Sequence, residues 1–306
     1  MRAEIASGCL GTILRAGGSA HPVTGSKSRP TLAPRGPPCQ GPPDLMPADF
    51  ELTLLGTGTS VGVPVIGCPC RVCRSEDPRN KRTRSSIHVR AGDTSVLVDS
   101  GPDLREQALR EDLSKVDAVI YTHDHVDHVV GFDELRAFCW HRDSPLPLFA
   151  RPSCMTTLQT MFGWAFSAGN VFSGYIKPDP RLIDGPFTIG SLHITPLPVE
   201  HASTETNGFL FESAGAPAIA YIPDVKSIPD ATVGLLRKAD ILIIDALRTK
   251  PHPTHLSTDE ALAIIAETGV RQAWLTHLSH ENDHHELEAT LPAGVRVAWD
   301  GLKIRA

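Results

Sequence analysis

Three imidazoles and two carboxylates occur within six consecutive residues near the middle of the chain. The three histidines and the second aspartate form the pattern His123-x-His125-x-Asp127-His128. Neutral imidazole and carboxylate are ligands that suit zinc, manganese or iron, and ligands divided between two subsites would hold two ions close together. The alternative is a solvated histidine-rich turn, but surface histidines have no reason to keep this spacing. We therefore expect a paired-metal site.

The elements around this motif should place it at the end of a strand. Residues 116–121 are a short apolar run rich in β-branched side chains, which predicts a buried strand with the motif at its carboxyl end. In an extended segment alternate side chains share a face, so we expect His123, His125 and Asp127 to converge on one side. His128 would then begin the turn into a helix over residues 129–138.

Three further candidate ligands follow predicted strands later in the chain. His201 ends the segment Pro-Leu-Pro-Val-Glu-His, Asp224 ends Ala-Tyr-Ile-Pro-Asp, and His277 ends Trp-Leu-Thr-His. The central motif followed by these three residues in this order resembles the complete ligand series of the metallo-β-lactamase superfamily. The resemblance implies two divalent ions, of zinc or manganese, bridged by Asp224. One ion would be held by His123, His125 and His201, and the other by Asp127, His128 and His277.

A third metal site is indicated by the pattern Cys68-x-Cys70-x-x-Cys73. The chain has 7 cysteines, an odd number, which favours a reducing compartment and a metal knot over a disulfide framework. Tetrahedral zinc needs a fourth ligand. The pattern is similar to the zinc knot of a narrower branch, the phosphoribosyl 1,2-cyclic phosphate phosphodiesterases, and this resemblance implies His280 as that ligand of a structural zinc. Three buried free thiols are the alternative, and rival fourth ligands are His284 and His285.

The branch resemblance covers residues 50–305, with shared segments Gly56-Thr-Gly-Thr-Ser, Gly67-Cys-Pro-Cys and Val98-Asp-Ser-Gly-Pro-Asp. It implies hydrolysis of a small phosphodiester, with His255 as the general acid that protonates the leaving oxygen. His252 in the same loop is an alternative general acid. The residues expected to be catalytic are therefore Asp127 and His255. Arg82 and Arg84 could neutralise a substrate phosphate or be solvated surface arginines.

The N-terminal stretch differs in composition from the rest of the chain. Residues 1–47 contain eight prolines and seven glycines, a share above the ~25–30% at which non-periodic segments usually stay disordered. We expect no fold there. We favour the interpretation that synthesis begins at Met46. The alternative is a targeting peptide, which the scattered arginines would also fit. The hydrolase domain would span residues 48–306.

Charge and hydropathy limit the partners. The net charge is −6, and residues 1–45 contribute +3, so the remainder carries −9. An acidic domain argues against nucleic acid as a partner, because phosphate-backbone binding uses clustered lysines and arginines. No apolar run approaches the ~18 residues of a membrane span. We expect a cytoplasmic protein with a small-molecule phosphodiester as substrate and no membrane partner, while a homodimer stays an open alternative.

Predicted strands alternate with helices in two blocks that each begin with a β-rich run. The strands include residues 50–55, 86–90, 95–99, 192–199, 208–212, 218–222, 241–244 and 272–276. The sequence Ser257-Thr-Asp-Glu260 is a capping box that predicts a helix start, with Gly269 at its end. Asp99, at a strand end, is a candidate to orient neighbouring histidines. The pattern suggests an α/β protein with a four-layer α/β/β/α sandwich, and the superfamily resemblance implies the same.

The expected function is hydrolysis of a small, and on the resemblance cyclic, phosphodiester by metal-bound hydroxide. An ester or lactone hydrolase on the same scaffold is the first alternative, because fold and metals do not choose the electrophile. A tRNA 3′-processing endonuclease is disfavoured by the cysteine knot and the acidic domain. A non-catalytic metal-binding biosynthetic protein is disfavoured by the presence of the whole His-x-His-x-Asp-His set.

Overall fold

The computed structural model describes residues 50–140 and 142–305. The predictions for residues 1–47 lie outside the described residues. Within the described part, the strands form two mixed sheets of seven strands each.

The first sheet is ordered β14-β1-β2-β3-β4-β5-β6. Its strands β3 to β6 run parallel to one another, and the others are antiparallel to their neighbours. The strands are β1 (Phe50–Gly56), β2 (Ser86–Ala91), β3 (Thr94–Val98), β4 (Ala118–Ile120), β5 (Leu146–Ala150), β6 (Pro178–Leu182) and β14 (Lys303–Arg305).

The second sheet is ordered β13-β12-β11-β10-β9-β8-β7. Here β10 to β13 are parallel, while β7, β8 and β9 form an antiparallel meander that joins β10. The strands are β7 (Phe187–Ile189), β8 (Leu192–His201), β9 (Thr204–Glu212), β10 (Ile219–Ile222), β11 (Ile241–Asp245), β12 (Gln272–Thr276) and β13 (Val295–Val297).

Short helices connect the strands. The α-helices are α1 (Leu104–Arg110), α2 (Val126–Val129), α3 (Pro152–Met161), α4 (Gly163–Phe166), α5 (Asp230–Leu236), α6 (Thr258–Thr268) and α7 (His284–Glu288), and 3-10 helices span Pro78–Asn80 and Val130–Cys139. The predicted capping box is confirmed, since the Ser257 side chain accepts a hydrogen bond from the Glu260 N–H and Gly269 ends α6 with a φ of 73°. None of the helices between residues 50 and 305, residue 141 aside, has the length and apolar character that a bilayer crossing requires.

Three apolar clusters show how the layers are stacked. One joins the facing sides of the two sheets, with Leu52 of the first sheet and Phe209 of the second fully buried. A second packs Leu158 of α3 against the outer side of the first sheet, and a third packs Ile265 of α6 against the outer side of the second. Each large side chain buried in this way contributes about 1.5–3 kcal/mol. The predicted four-layer α/β/β/α sandwich is therefore confirmed.

The carboxyl ends of the parallel strands lie at the edge of each sheet where the candidate residues occur. In the first sheet, β3 leads to Asp99 and β4 leads to the His123 motif. In the second, β10, β11 and β12 lead to Asp224, Asp245 and His277, and β8, which runs in the same direction as β10, ends at His201. The topology thus gathers residues that are far apart in sequence.

The local structure of the central motif differs from the prediction. We expected an extended segment in which His123, His125 and Asp127 share one face, but the chain becomes helical at Val126, so Asp127 lies on the first turn of α2. This interpretation was wrong because the strand ends at Ile120 and the alternation of side chains ends with it. The predicted helix over residues 129–138 is present as the 3-10 helix Val130–Cys139.

Candidate metal centre

The seven predicted ligands lie together at the carboxyl edge of both sheets. His123, His128, His201, Asp224 and His277 are each at most 2% exposed, and His125 and Asp127 are half-buried. Their potential ligand atoms fall into overlapping groups in which all atoms lie within 4.8 Å of one another. One group is His123, His125 and His201, and another is Asp127, His128 and His277.

Asp224 connects the two groups. Its Oδ2 lies 3.2 Å from Nε2 of His128, and its Oδ1 lies 3.3 Å from Nε2 of His277. The same Oδ1 is 3.8 Å from Nε2 of His201, which belongs to the other group. Because a carboxylate has two oxygens, this position allows it to face two cations at once.

Hydrogen bonds fix the rings of the two histidines from the first sheet. His128 donates from Nδ1 to Oδ2 of Asp99 over 2.8 Å, and Thr122 donates from Oγ1 to the same carboxylate. The Thr122 oxygen also lies 2.9 Å from Nδ1 of His123. Each Nε2 is thereby left to face the centre of the site, so Asp99 has the orienting position predicted for it.

Backbone and hydroxyl groups hold two more rings. His201 donates from Nδ1 to the carbonyl oxygen of Thr254 over 2.8 Å, and Oγ1 of Thr204 lies 3.2 Å from Nε2 of His125. The remaining nitrogens, His201 Nε2 and His125 Nδ1, are 3.2 Å apart and face each other. Thr204, the first residue of β9, and Thr254, in the loop before α6, carry no signal in the sequence, because threonines are common and only the fold brings these two to the site.

Several buried polar atoms of the site have no hydrogen-bond partner among the described residues. They are Nε2 of His123, His128 and His277, and Oδ2 of Asp224. A buried polar atom without a partner costs about 1–3 kcal/mol, and four such atoms pointing to one place are unfavourable unless something binds them. Divalent cations bind this set of imidazole nitrogens and carboxylate oxygens, so the residues fit the ions that the sequence predicts.

The charges of the site favour cations. Burial lowers the pKa of His277, but the Asp224 and Asp245 carboxylates outweigh it and raise the pKa to about 9. Burial would raise the pKa of Asp224, but the imidazoles of His277 and His128 hold it well below its usual range. Asp224 therefore stays ionised at neutral pH. Burial would also lower the pKa of His128, but the Asp224 and Asp99 carboxylates raise it well above its ordinary value. Because metal binding has to displace the protons of both imidazoles, we expect the affinity for metal to rise with pH.

Two residues of the site have strained backbone conformations. Asp99 has a φ of 64° and His277 a φ of 56°, in the left-handed region that residues other than glycine rarely occupy. Such conformations cost about 1–3 kcal/mol each and occur where the surrounding structure imposes them. Both residues directly follow parallel strands, and the left-handed turn directs their side chains into the site.

His255, and not His252, lies against this cluster. The His255 ring is 4.6 Å from the His277 ring and 4.7 Å from the His201 ring. Its Nδ1 donates to Oδ2 of Asp245 over 2.8 Å. The Nδ1 of His252 accepts a hydrogen bond from the N–H of Thr254, and its ring is 5.3 Å from that of His255.

Asp245 is a functional candidate that the sequence reasoning missed. It is fully buried at the end of β11, and its second oxygen lies 3.7 Å from Nδ1 of His277. One carboxylate thus contacts His255 and lies close behind His277. The signal that identified Asp99, an aspartate at the end of a buried strand, was present here as well and could have identified it.

The cysteine knot is assembled against the loop that follows β12, three residues beyond His277. Nδ1 of His280 lies 3.3 Å from Sγ of Cys68, 3.5 Å from Sγ of Cys70 and 3.6 Å from Sγ of Cys73. The N–H of Cys73 is the main cause that lowers the pKa of Cys70, to about 6, whereas burial raises the pKa of Cys73 to about 11. The four groups have the composition and proximity that a tetrahedral zinc requires.

The rival fourth ligands of the knot have other surroundings. His284 is buried beside Trp299, and its backbone N–H donates to the Asn80 side chain. His285 is exposed and pairs with Asp77 over 3.0 Å. Neither belongs to the group formed by the three cysteines and His280.

Comparison with known proteins agrees with this geometry. A sequence model of the Beta-lactamase superfamily domain matches residues 94–278. A solved structure described as a new diphosphatase from the PhnP family is 39% identical, with a TM-score of 0.76, and the match covers 83% of this chain and 97% of that one. Zn(2+)-bound PqqB from Methylobacterium extorquens is 23% identical, with a TM-score of 0.69 over 83% of this chain and 99% of that one, and shares the fold.

One curated relative is much longer than this chain. An octanoyltransferase of Porphyromonas gingivalis is 36% identical over 261 residues, which are 82% of this chain but 50% of that protein. The chain thus spans about half the length of this relative.

Proposed function

The chain belongs to the metallo-β-lactamase superfamily and, within it, to the PhnP family, and on this premise we propose that it hydrolyses small phosphodiesters with two divalent metal ions. The observation that carries the proposal is the position of Asp224. Its oxygens lie close to His128 and His277 of one ligand group and to His201 of the other, and unpaired imidazole nitrogens surround it. A single-metal or purely structural site has no need of such a bridge.

We propose the division of ligands between two ions that the superfamily resemblance implies. His123, His125 and His201 would hold one ion, and Asp127, His128 and His277 the other. Bound zinc or manganese ions supply a water of lowered pKa and neutralise charge on a phosphate. A third, structural zinc would bind Cys68, Cys70, Cys73 and His280. Three thiolate ligands need a reducing environment, which supports the proposed cytoplasmic location.

The protein's own residues orient the site and handle the leaving group. Asp99, Thr122 and Thr254 fix the histidine rings, so that no reorganisation is needed when substrate binds. His255 would donate a proton to the leaving alkoxide. Asp245 accepts the hydrogen bond from Nδ1 of His255, which fixes the ring and leaves Nε2 as the nitrogen for proton transfer. Such a general acid contributes about 10²–10⁴-fold to the rate.

A second candidate substrate is a carboxylic ester or lactone. The observation in its favour is the octanoyltransferase relative, because its name indicates acyl chemistry. That protein is twice as long as the matched region, so the acyl transfer need not belong to the shared half. The PhnP-family structure, 97% of which is covered by its match to this chain, supports phosphorus chemistry instead.

A paired assay separates the two substrates. Protein loaded with manganese or zinc should hydrolyse bis(4-nitrophenyl) phosphate and leave a chromogenic lactone intact, and the activity should disappear after treatment with a chelator. Hydrolysis of the lactone alone would show that the substrate class is wrong. Inertness towards both substrates at full metal content would contradict an enzymatic role.

A further inference from the structure

Two arginines, Arg82 and Arg84, lie two residues apart in the segment before β2, but their surroundings differ. Arg82 is 1% exposed and donates to the carbonyl oxygens of Ser279 and Asn282 and to the side chain of Asn80. Burial lowers the pKa of Arg82 to about 10. Its guanidinium stabilises the loop that follows β12 and is closed to any ligand.

Arg84 is held differently. Its backbone N–H and its Nη1 both donate to the Asp103 carboxylate, over 2.8 Å and 3.2 Å. Its side chain is 31% exposed. Nε is buried, and Nη2 makes no hydrogen bond to any residue in the described part of the chain. Asp103 thus anchors Nη1, and Nη2 is the donor that remains available.

The neighbours of Arg84 place it beside the metal centre. A Cβ added to Gly101 would lie 3.6 Å from Cβ of Arg84 and would overlap the carbonyl oxygen of Asp127, so only this glycine separates the two residues. The backbone of Gly58 forms one isolated β-bridge with Arg84 and another with Leu278, which directly follows His277. Arg84 therefore lies at the rim between two of the loops that carry predicted ligands.

Gly62 leaves space beside the guanidinium of Arg84. Gly62 has a φ of +65°, and a Cβ at this position would come within 3.3 Å of Nη1 and 3.7 Å of Cδ of Arg84. A larger residue would press on the arginine from the loop that follows β1. With glycine there, the anchored guanidinium stays uncovered on that side.

We propose that Arg84 is a specificity-determining residue that binds a non-bridging phosphate oxygen of the substrate. The inference rests on the proposed function and goes further, because it accounts for selection of a phosphate over a neutral carboxylic ester. Nη2 would donate a charge-assisted hydrogen bond to that oxygen. Asp103 fixes the orientation of the guanidinium before substrate arrives, so little side-chain entropy is lost on binding.

Another arginine at the same edge of the first sheet provides a matched control. Arg151 follows β5 and donates from Nη2 to Glu205 over 2.9 Å and from Nη1 to the carbonyl oxygen of Ile183 over 3.5 Å. Both ends of its guanidinium are therefore occupied. Replacing Arg151 removes the same charge from the rim without removing an available donor.

The test compares Arg84→Gln, Arg84→Lys and Arg151→Gln on bis(4-nitrophenyl) phosphate, with inorganic phosphate as a competitive inhibitor. We expect Arg84→Gln to raise both KM and the phosphate inhibition constant about 10-fold or more, since a charge-assisted hydrogen bond is lost, with kcat changed about 3-fold at most. Arg84→Lys keeps the charge without the anchored planar guanidinium and should fall between Arg84→Gln and the wild type. Arg151→Gln should match the wild type.

The outcomes separate this inference from the proposed function. Equal metal content and melting temperature in all variants exclude a folding defect, and if Arg84→Gln does not fold, Arg84→Lys carries the comparison. An Arg84 variant with the wild-type KM and phosphate inhibition, in an active enzyme, overturns the role of Arg84 alone. Wild-type protein that neither cleaves the diester nor binds phosphate overturns both proposals.

Discussion

Replacement of Asp224 by asparagine should lower phosphodiester hydrolysis about 10³-fold or more, because several kcal/mol of charge stabilisation at the metals depend on this carboxylate. Its oxygens lie 3.2 Å from His128 Nε2 and 3.3 Å from His277 Nε2 of one ligand group and 3.8 Å from His201 Nε2 of the other, and the side chain is almost fully buried. An asparagine has the same shape but lacks the negative charge and offers one oxygen instead of two. It cannot serve both ligand groups.

Activity and metal content of Asp224→Asn should be measured together. We expect at least one catalytic ion to be lost on dialysis while the cysteine-held zinc remains. Asp230→Asn is a suitable control, since Asp230 is an exposed residue in the first turn of α5, and it should retain wild-type values. Full activity with both ions present in Asp224→Asn would remove Asp224 from the bridging position.

Replacement of His255 by alanine should lower the turnover of an alkyl phosphodiester about 10²–10⁴-fold, the range for loss of a general acid. The same variant should cleave bis(4-nitrophenyl) phosphate at a rate close to that of the wild type. The physical reason is that 4-nitrophenolate is a stable anion and leaves without a proton, whereas an alkoxide needs one. The ratio of the two rates therefore reports on proton donation and not on folding.

Two further variants locate the proton donor. His252→Ala should keep the wild-type rate on both diesters, because the His252 ring contacts Thr254 and not the metal cluster. Asp245→Asn should have an alkyl diester rate between those of His255→Ala and the wild type. We expect a loss of about 10–100-fold, as when a partner that orients a ring is changed. If His252→Ala lowers the rate of alkyl diester hydrolysis and His255→Ala does not, then His252 is the proton donor and His255 is not.

Much of this site could be predicted because its ligands follow short apolar strands. A run such as residues 241–244 predicts a buried strand, and a polar residue at its end marks the sheet edge. These positions, together with the resemblance to the superfamily's ligand series, predict His123, Asp224 and His277 as one set. Asp245 obeys the same strand-end rule but does not belong to that ligand series.

Other features depend on packing that the sequence does not display. The turn that places Asp127 on α2 involves four residues, and no side chain caps it, so no residue pattern marks its start. Arg82 and Arg84 have identical chemistry and nearly the same position in the chain. Only the fold decides that the first is enclosed by carbonyl oxygens and the second lies at the rim.

The metal stoichiometry of the purified wild-type chain tests the two-ion centre most directly. Elemental analysis after exhaustive dialysis should find three divalent ions per chain, two for the groups that share Asp224 and one for the cysteine knot. In Cys70→Ser the same measurement should find the two catalytic ions alone. A wild-type chain that holds only the ion bound by the cysteines would contradict the account.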